Sequence, residues 1–282
     1  MNKKKKIVEV AVVTLFNPNE DVYFNIKSYL PYVKELLIVD NSEELSPLIF
    51  DLQKEFSSVV LLSSLNNIGI AKALNLALLY AEENNYSWLL TMDQDTSFSD
   101  TKVQTFIDYF YNRVDDDLAI FSPLHNKKFL VEYEFINKQK EFVMTSANII
   151  NVKKSIDSGM FDEKLFIDEV DHDFCLSLKE NRYDIIQNYN IYVHHTLGEK
   201  HKCVNVNLYR PQRLYYMLRN YLYIRDKHKD NNLIFFKTRD KYLFKFFLKQ
   251  FIYNKNKIEI LKMVGQAITD YKNNSMGYTI KL

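Results

Sequence analysis

Two aspartates one residue apart, Asp93 and Asp95, close the apolar run of "WLLTMDQDTSF". At a strand end, where the chain turns, such a pair can converge on one hard cation and leave positions open for phosphate oxygens. With Thr96 the same line also suits an aspartate that attacks phosphorus as a nucleophile. The plainer alternative is a pair of turn and capping residues. A second acidic group lies in "FIDEVDHDF", where Asp168, Glu169, Asp171 and Asp173 crowd the start of a helical stretch. Negative charge suits a helix N-terminus, but carboxylates this close repel, which raises the pKa of at least one and leaves it a good proton acceptor. His194 and His195 end a short apolar run, and because strand neighbours point oppositely, at most one faces a site as a metal or phosphate ligand. "NNIGIAKALN" has one glycine and lacks both the Gly-x-Gly-x-x-Gly and Gly-Lys-Ser/Thr fingerprints. On their own, Asn67 and Gly69 read as a helix N-cap with a tight turn.

The surrounding elements give these groups a common place. "IVEVAVVTLF", "ELLIVDNS", "VVLLSS" and "SWLLTMDQD" are apolar runs that stop at polar residues, as buried strands do. Between them, Asp21 to Val33, Leu48 to Phe56 and the stretch with Ile70, Ala73, Leu74, Ala77, Leu78 and Ala81 have helical spacing. Strands and helices alternating at this rhythm predict an α/β domain on a mostly parallel sheet, whose ligands gather at the carboxyl ends of the strands. Thr14 to Asn17, Asp40-Asn41, Asn66-Asn67 and Asp93 to Asp95 therefore converge on one edge. Further on, 101–113 reads as a helix, "LAIFSP" as a strand and "EFVMTSANIINVKKSI" as a strand entering a helix. "FIDEVDHDFCLSLKENRYDI" reads as a helix, and "IYVHHTLGE" as a short strand.

With 282 residues and 47% hydrophobic content, the chain can bury a sizeable core. Cys175 and Cys203 lie far apart without metal-type spacing and read as free thiols of a reducing compartment. The N-terminal lysines and apolar block imitate a signal peptide, but Glu9 interrupts the block and no small-residue cleavage site follows. No run of eighteen apolar residues exists to span a membrane. The net charge of +1 hides an asymmetry: residues 201–282 hold 17 basic against 5 acidic residues, and the first 200 hold 20 against 31.

The order "VVTLFNPNEDVYFNIKSYLPYVKELLIVDNSEE", "NNIGIAKALNLAL" and "WLLTMDQDTSF" resembles the family 2 glycosyltransferases of the GT-A fold, especially the bacterial rhamnosyltransferase branch. A haloacid-dehalogenase-type phosphatase places its aspartate strand early and needs a downstream Gly-Asp, which residues 101–282 lack. Thr96 then reads as a turn residue. The resemblance implies a GT-A domain over 1–208, with a nucleotide-sugar half at about 7–100 and an acceptor and base half at about 101–208. A basic, aromatic helical region follows at 209–282. In that family Thr14, Phe16 and Asn17 at the first strand end, with Asp40 and Asn41, hold base and ribose. Asn67, Gly69 and Lys72 flank the donor. Asp93 approaches ribose and metal, Asp95 binds Mn2+ or Mg2+ directly, and "HTLG" points to His195 as a further metal contact. The catalytic base falls at Asp171, with Glu169 as rival, and an arginine common after that motif is missing.

These positions imply an inverting hexosyltransferase of polysaccharide, capsule or cell-wall biosynthesis. It would use a dTDP-rhamnose donor, or a UDP-sugar such as galactofuranose, galactose or glucose, and a glycan or lipid-linked acceptor. A GT-A subunit without activity, serving a polysaccharide assembly complex, is the non-enzymatic alternative. The aromatics and lysines of 235–255 pack partly on the body, or lie as a basic amphipathic helix on an anionic bilayer. The acidic body argues against nucleic acid. The expected location is cytoplasmic and peripheral on the inner membrane face, with a homo-oligomer as a further use of the tail.

Overall fold

The computed structural model describes residues 6–63, 65–99, 102–125, 127–131, 135–195 and 207–281. The residues before Lys6, the Thr196-Leu197-Gly198 stretch and Cys203 lie outside the described residues. The first half alternates as expected: β1 (Val8–Leu15), α1 (Asp21–Lys27), β2 (Val33–Asp40), α2 (Pro47–Glu55), β3 (Val59–Ser63), α3 (Gly69–Glu83) and β4 (Trp88–Asp93). Then come β5 (Thr96–Ser97), α4 (Lys102–Arg113), β6 (Leu118–Leu124), β7 (Asn137–Gln139), β8 (Asn148–Asn151), α5 (Val152–Asp157) and α6 (Val170–Glu180). β9 (Asp184–Tyr192) and β10 (His194–His195) precede three helices, α7 (Pro211–His228), α8 (Leu233–Tyr253) and α9 (Lys257–Lys272).

Among the described residues, eight strands form one sheet in the order β3-β2-β1-β4-β8-β6-β9-β7. β1 to β4 are parallel, β8 is antiparallel to both β4 and β6, and β9 runs parallel to β6. The alternation of β1 decides which side chain serves which layer. Ala11, Val13 and Leu15 meet Ile26 of α1, Leu52 of α2 and Phe106 of α4. Val10 and Val12 face the other way, toward Leu74, Ala77 and Leu78 of α3. A strand buried on both faces reads as an unbroken apolar run, which is why these strands are plain in the sequence. Glu9, the exception, accepts from the backbone N–H groups of Ser87 and Trp88 at 2.6 and 3.1 Å.

One reading changes. The helix predicted through Ile185 stops at Glu180, because Arg182 turns into the left-handed region (φ 65°) and β9 begins at Asp184. Polar Gln187, Asn188 and Asn190 hid that strand. Asn188 is fully buried, donates to Asn137 Oδ1 at 2.9 Å and accepts from the backbone of Asn190 and Ile191. The helical extension also shares the body's core: Tyr221 and Ile224 of α7 and Phe236 and Leu243 of α8 pack in the same layer as α3.

Candidate active site

Parallel register brings the strand ends level, pairing Leu15 with Asp40 and Thr14 with Asp93. The Asp93 backbone N–H donates to Ser146 Oγ at 3.0 Å, and that hydroxyl donates to Thr96 Oγ1 at 2.8 Å. Thr96 is therefore more than a turn residue: it is fully buried and opens β5, whose pairing with β10 sets His195 opposite it. His195 Nε2 comes to 3.1 Å from Asp95 Oδ1 and 3.8 Å from Asp93 Oδ2, whereas His194 is exposed. One ligand atom from each of Asp93, Asp95 and His195 lies within 4.8 Å of the other two. Two carboxylates and an imidazole are a fitting donor set for a divalent cation such as Mn2+ or Mg2+. Burial pushes the Asp93 carboxyl up to about 6, opposed by His195 and reinforced by Asp95 and Asp171. Burial lowers His195, but its hydrogen bond to Asp95 and the two carboxylate charges outweigh that and raise it.

The acidic motif faces this cluster from a tightly wound loop. Phe166, Asp168 and Glu169 all have left-handed backbones, with φ of 58°, 62° and 64°. Each such non-glycine residue costs on the order of 1 kcal/mol, so the loop must be held from outside. Asn220 of α7 does this, donating from Nδ2 to the carbonyls of Leu165, Ile167 and Asp168 at 2.6, 2.6 and 3.1 Å. Its own Oδ1 accepts from Nε and Nη2 of the fully buried Arg219 at 3.1 and 3.0 Å. On the other side, the Ile70 N–H donates to the Phe166 carbonyl at 2.7 Å. A Cβ on Gly69 would lie 2.4 Å from the Phe166 ring and 2.6 Å from its carbonyl oxygen, so glycine is required for the approach.

Arg213 of α7 grips Asp168 with two hydrogen bonds of 3.2 and 2.9 Å, and Arg239 of α8 donates to Glu169. His172 Nδ1 lies 3.0 Å from Asp171 Oδ1 and 3.4 Å from Glu169 Oε2. Burial is the leading cause that raises the carboxyls of Asp168 and Glu169, with the charge of Asp171 a lesser one. Burial acts on Asp171 too, but the charge and hydrogen bonds of His172, with Arg239, hold it below the usual carboxylate range. Asp168 and Glu169 are thus raised, by burial more than by the crowding of acids, while Asp171 stays ionised. Asp173 turns away into the core, 2.9 Å from both His228 Nε2 and Lys227 Nζ.

Both groups line one cleft of about 530 Å³ at the carboxyl edge of the sheet. Residues 11–173, more than half of the chain, match the sequence profile of Glycosyl transferase family 2. The chain belongs to that family. It is 28% identical over 250 residues to the dTDP-rhamnosyl transferase RfbF of Shigella flexneri, covering 77% of this chain and 80% of that protein. Among solved structures it is similar to GalNAc-T7 with UDP, GalNAc and Mn2+, at a TM-score of 0.60 and 11% identity, covering 79% of this chain and 48% of that one. It is also similar to residues 1–349 of S. aureus TarS in complex with UDP-GlcNAc, at 0.58 and 16%, covering 94% and 80%. At such identities the structures carry the fold alone, which is GT-A with C-terminal helices.

In this glycosyltransferase, Thr14, Phe16, Asn41, Asn67 and Gly69 line the cleft beside Asp93, Asp95, His195, Glu169 and Asp171. Asp40, Asn17 and Lys72 are not among the lining residues. Asp40 is fully buried and caps its own turn, accepting from the backbone of Ser42 at 2.9 Å and of Ser46 at 3.3 Å. Asn17 donates from its backbone to Ser42 Oγ at 2.7 Å, and Lys72 lies on the exposed face of α3. Gln94, between the two aspartates, was missed; its side chain donates to the Phe16 carbonyl at 3.1 Å and accepts from the Phe16 N–H at 2.8 Å. Arg213, Met217 and Arg239 were also missed. The arginine looked for just after the acidic motif is absent there, but two arginines of α7 and α8 bring cationic charge into the cleft. Cys175 is buried, which pushes its thiol up to about 12 and leaves it a core residue.

Proposed function

We propose that the protein is an inverting, divalent-metal-dependent hexosyltransferase that moves rhamnose from dTDP-rhamnose to a glycan or lipid-linked acceptor in bacterial surface-polysaccharide synthesis. The observation that carries this reading is the meeting of the Asp93, Asp95 and His195 group with Asp171 in one cleft of a family 2 GT-A domain. The rhamnosyl assignment draws on the likeness to RfbF. Asp93, Asp95 and His195 would hold Mn2+ or Mg2+, which when bound offsets the charge of the leaving nucleoside diphosphate. Thr14, Asn41 and Asn67 lie along the same edge, where they contact the nucleoside end of the donor.

Asp171 supplies the base. Its Oδ1 is engaged by the His172 backbone N–H at 2.9 Å, which leaves Oδ2 for the acceptor hydroxyl. Being ionised at neutral pH, it takes the hydroxyl proton as that oxygen bonds to the anomeric carbon and the carbon–diphosphate bond breaks. Attack from the face opposite the leaving group inverts the anomeric centre. Glu169 is the poorer candidate, since it is 5% exposed and already bonded to Arg239.

The test is nucleoside diphosphate release from dTDP-rhamnose and from UDP-galactofuranose, UDP-galactose and UDP-glucose, each with Mn2+, Mg2+ or a chelator. Release from dTDP-rhamnose that the chelator abolishes is expected. Faster release from a UDP-sugar would reassign the donor, and none from any donor would favour a non-catalytic binding subunit.

A further inference from the structure

The cleft uses only one side of α8. Phe236, Leu243 and Gln250, seven residues apart, form its buried stripe, and Arg239 reaches the cleft from beside that stripe. The opposite face is exposed and has an unusual make-up. Ile234, Phe244, Leu248 and Ile252 are 83%, 72%, 48% and 50% exposed. Among them runs a ladder of exposed lysines four residues apart, Lys237, Lys241, Lys245 and Lys249. None of these lysines makes an ion pair among the described residues. The single acid of the helix, Asp240, is bonded inward to Tyr221 and Arg225.

A face of this kind suits few surfaces. A second copy of the same face would set lysine against lysine with no carboxylate between them. A polyanion such as nucleic acid would satisfy the lysines but leave the four large apolar side chains in water. An anionic bilayer takes both, because apolar side chains enter the acyl boundary while lysine stems snorkel to the lipid phosphates. No described helix is long and apolar enough to cross a membrane, so the helix lies along the surface.

We infer that α8 docks the protein on an anionic phospholipid bilayer through this lysine and apolar face. An α-helix is about 10 Å across, so Arg239 and the cleft lie roughly one helix width from the lipid surface. This deepens the functional reading, on which it rests for its consequence: an acceptor saccharide carried on a membrane lipid is presented to Asp171 without leaving the bilayer.

The experiment is co-sedimentation of the full chain with vesicles of phosphatidylcholine alone or with a third phosphatidylglycerol. Two triple variants are compared with it, Lys241→Glu/Lys245→Glu/Lys249→Glu and Phe244→Ser/Leu248→Ser/Ile252→Ser. The unmodified chain is expected to pellet with the anionic vesicles only. Loss of three lysines at a charged surface corresponds to a drop on the order of 100-fold in partitioning, a lower bound for the first variant because its glutamates add repulsion. The second variant should lose most in high salt, where screening leaves apolar insertion as the main attraction. Circular dichroism and donor hydrolysis should match the unmodified chain, since none of the six residues lines the cleft. Equal pelleting of either variant and the unmodified chain would overturn the inference. So would a concentration-dependent dimer, seen by ultracentrifugation, that the same substitutions dissolve. Loss of vesicle binding with donor hydrolysis intact separates the membrane face from the glycosyltransfer reading, and absent hydrolysis with vesicle binding intact separates them the other way.

Discussion

The two halves of the cleft are held in place by different physics. On the donor side, Asp93 is fixed by β-ladder hydrogen bonds and His195 by a two-residue strand pair, so ordinary backbone geometry does the positioning. On the base side, the Phe166–Glu169 loop has three left-handed non-glycine residues, and side chains more than fifty positions later in the chain restrain it. A register-built wall should tolerate substitution away from its functional groups. A clamped loop should lose activity when a distant residue changes. Five substitutions divide the two.

The largest expected effect is chemical. Asp171→Asn removes the proton acceptor while keeping the shape, and kcat should fall by about 10³-fold. Donor binding, set by the other wall, should stay within about twofold, so the loss appears in kcat rather than KM. Turnover near the unmodified rate would move the base to Glu169.

Asn220→Asp comes next and tests the clamp itself. The carboxylate matches the amide in size and still faces Arg219, but it cannot donate to the three carbonyls. Buried carbonyls left without donors should cost about 3 kcal/mol in urea unfolding. If the clamp positions the base, kcat also drops at a temperature where the variant remains folded, with donor affinity unchanged. A variant that loses stability but keeps kcat would show packing alone.

Gly69→Ala acts at the seam between the walls. The φ of 80° and the overlap with Phe166 should together cost about 2 kcal/mol. Phe166→Leu, by making room beside the ring, should recover part of that loss. A neutral Gly69→Ala would mean that the loop yields freely there.

The same contrast explains what could be read in advance. β1 to β4, α3 and the Asp93–Asp95 pair carry their signals within a few residues, as apolar runs, helical spacing and a polar stop. Glu169 and Asp171 could be ranked only through the family resemblance, because their pKa directions depend on burial and on His172 and Arg239, which no spacing encodes. Arg213, Arg239 and Asn220 went unread because their partners lie 45 to 70 positions away. One local hint existed: Arg219-Asn220 is a polar pair inside a helix otherwise packed through Tyr215, Tyr216 and Tyr221. Such a pair in an apolar stripe marks a buried network.

The smallest expected effect lies behind the base-side wall, where α7 ends against α6. His228 is buried, with Nε2 at 2.9 Å from Asp173 and Nδ1 at 3.0 Å from Glu180. Burial lowers its pKa, but the two carboxylates outweigh burial and raise it above the ordinary imidazole value. A histidine whose folded pKa is raised binds its proton more tightly when folded. Its stabilisation is therefore complete below the unfolded pKa of about 6.5 and is lost as pH rises through the higher folded value. Neutral imidazole has one N–H for two carboxylates, so one of the two loses that donor, while Lys227 still pairs with Asp173 and Asn232 still donates to Glu180. His228→Gln should cost about 1 kcal/mol at pH 6, and the gap between the two proteins in urea melts should narrow by pH 9. A gap that widened with pH would mean that His228 is held neutral, and that Lys227 alone compensates the buried charge of Asp173.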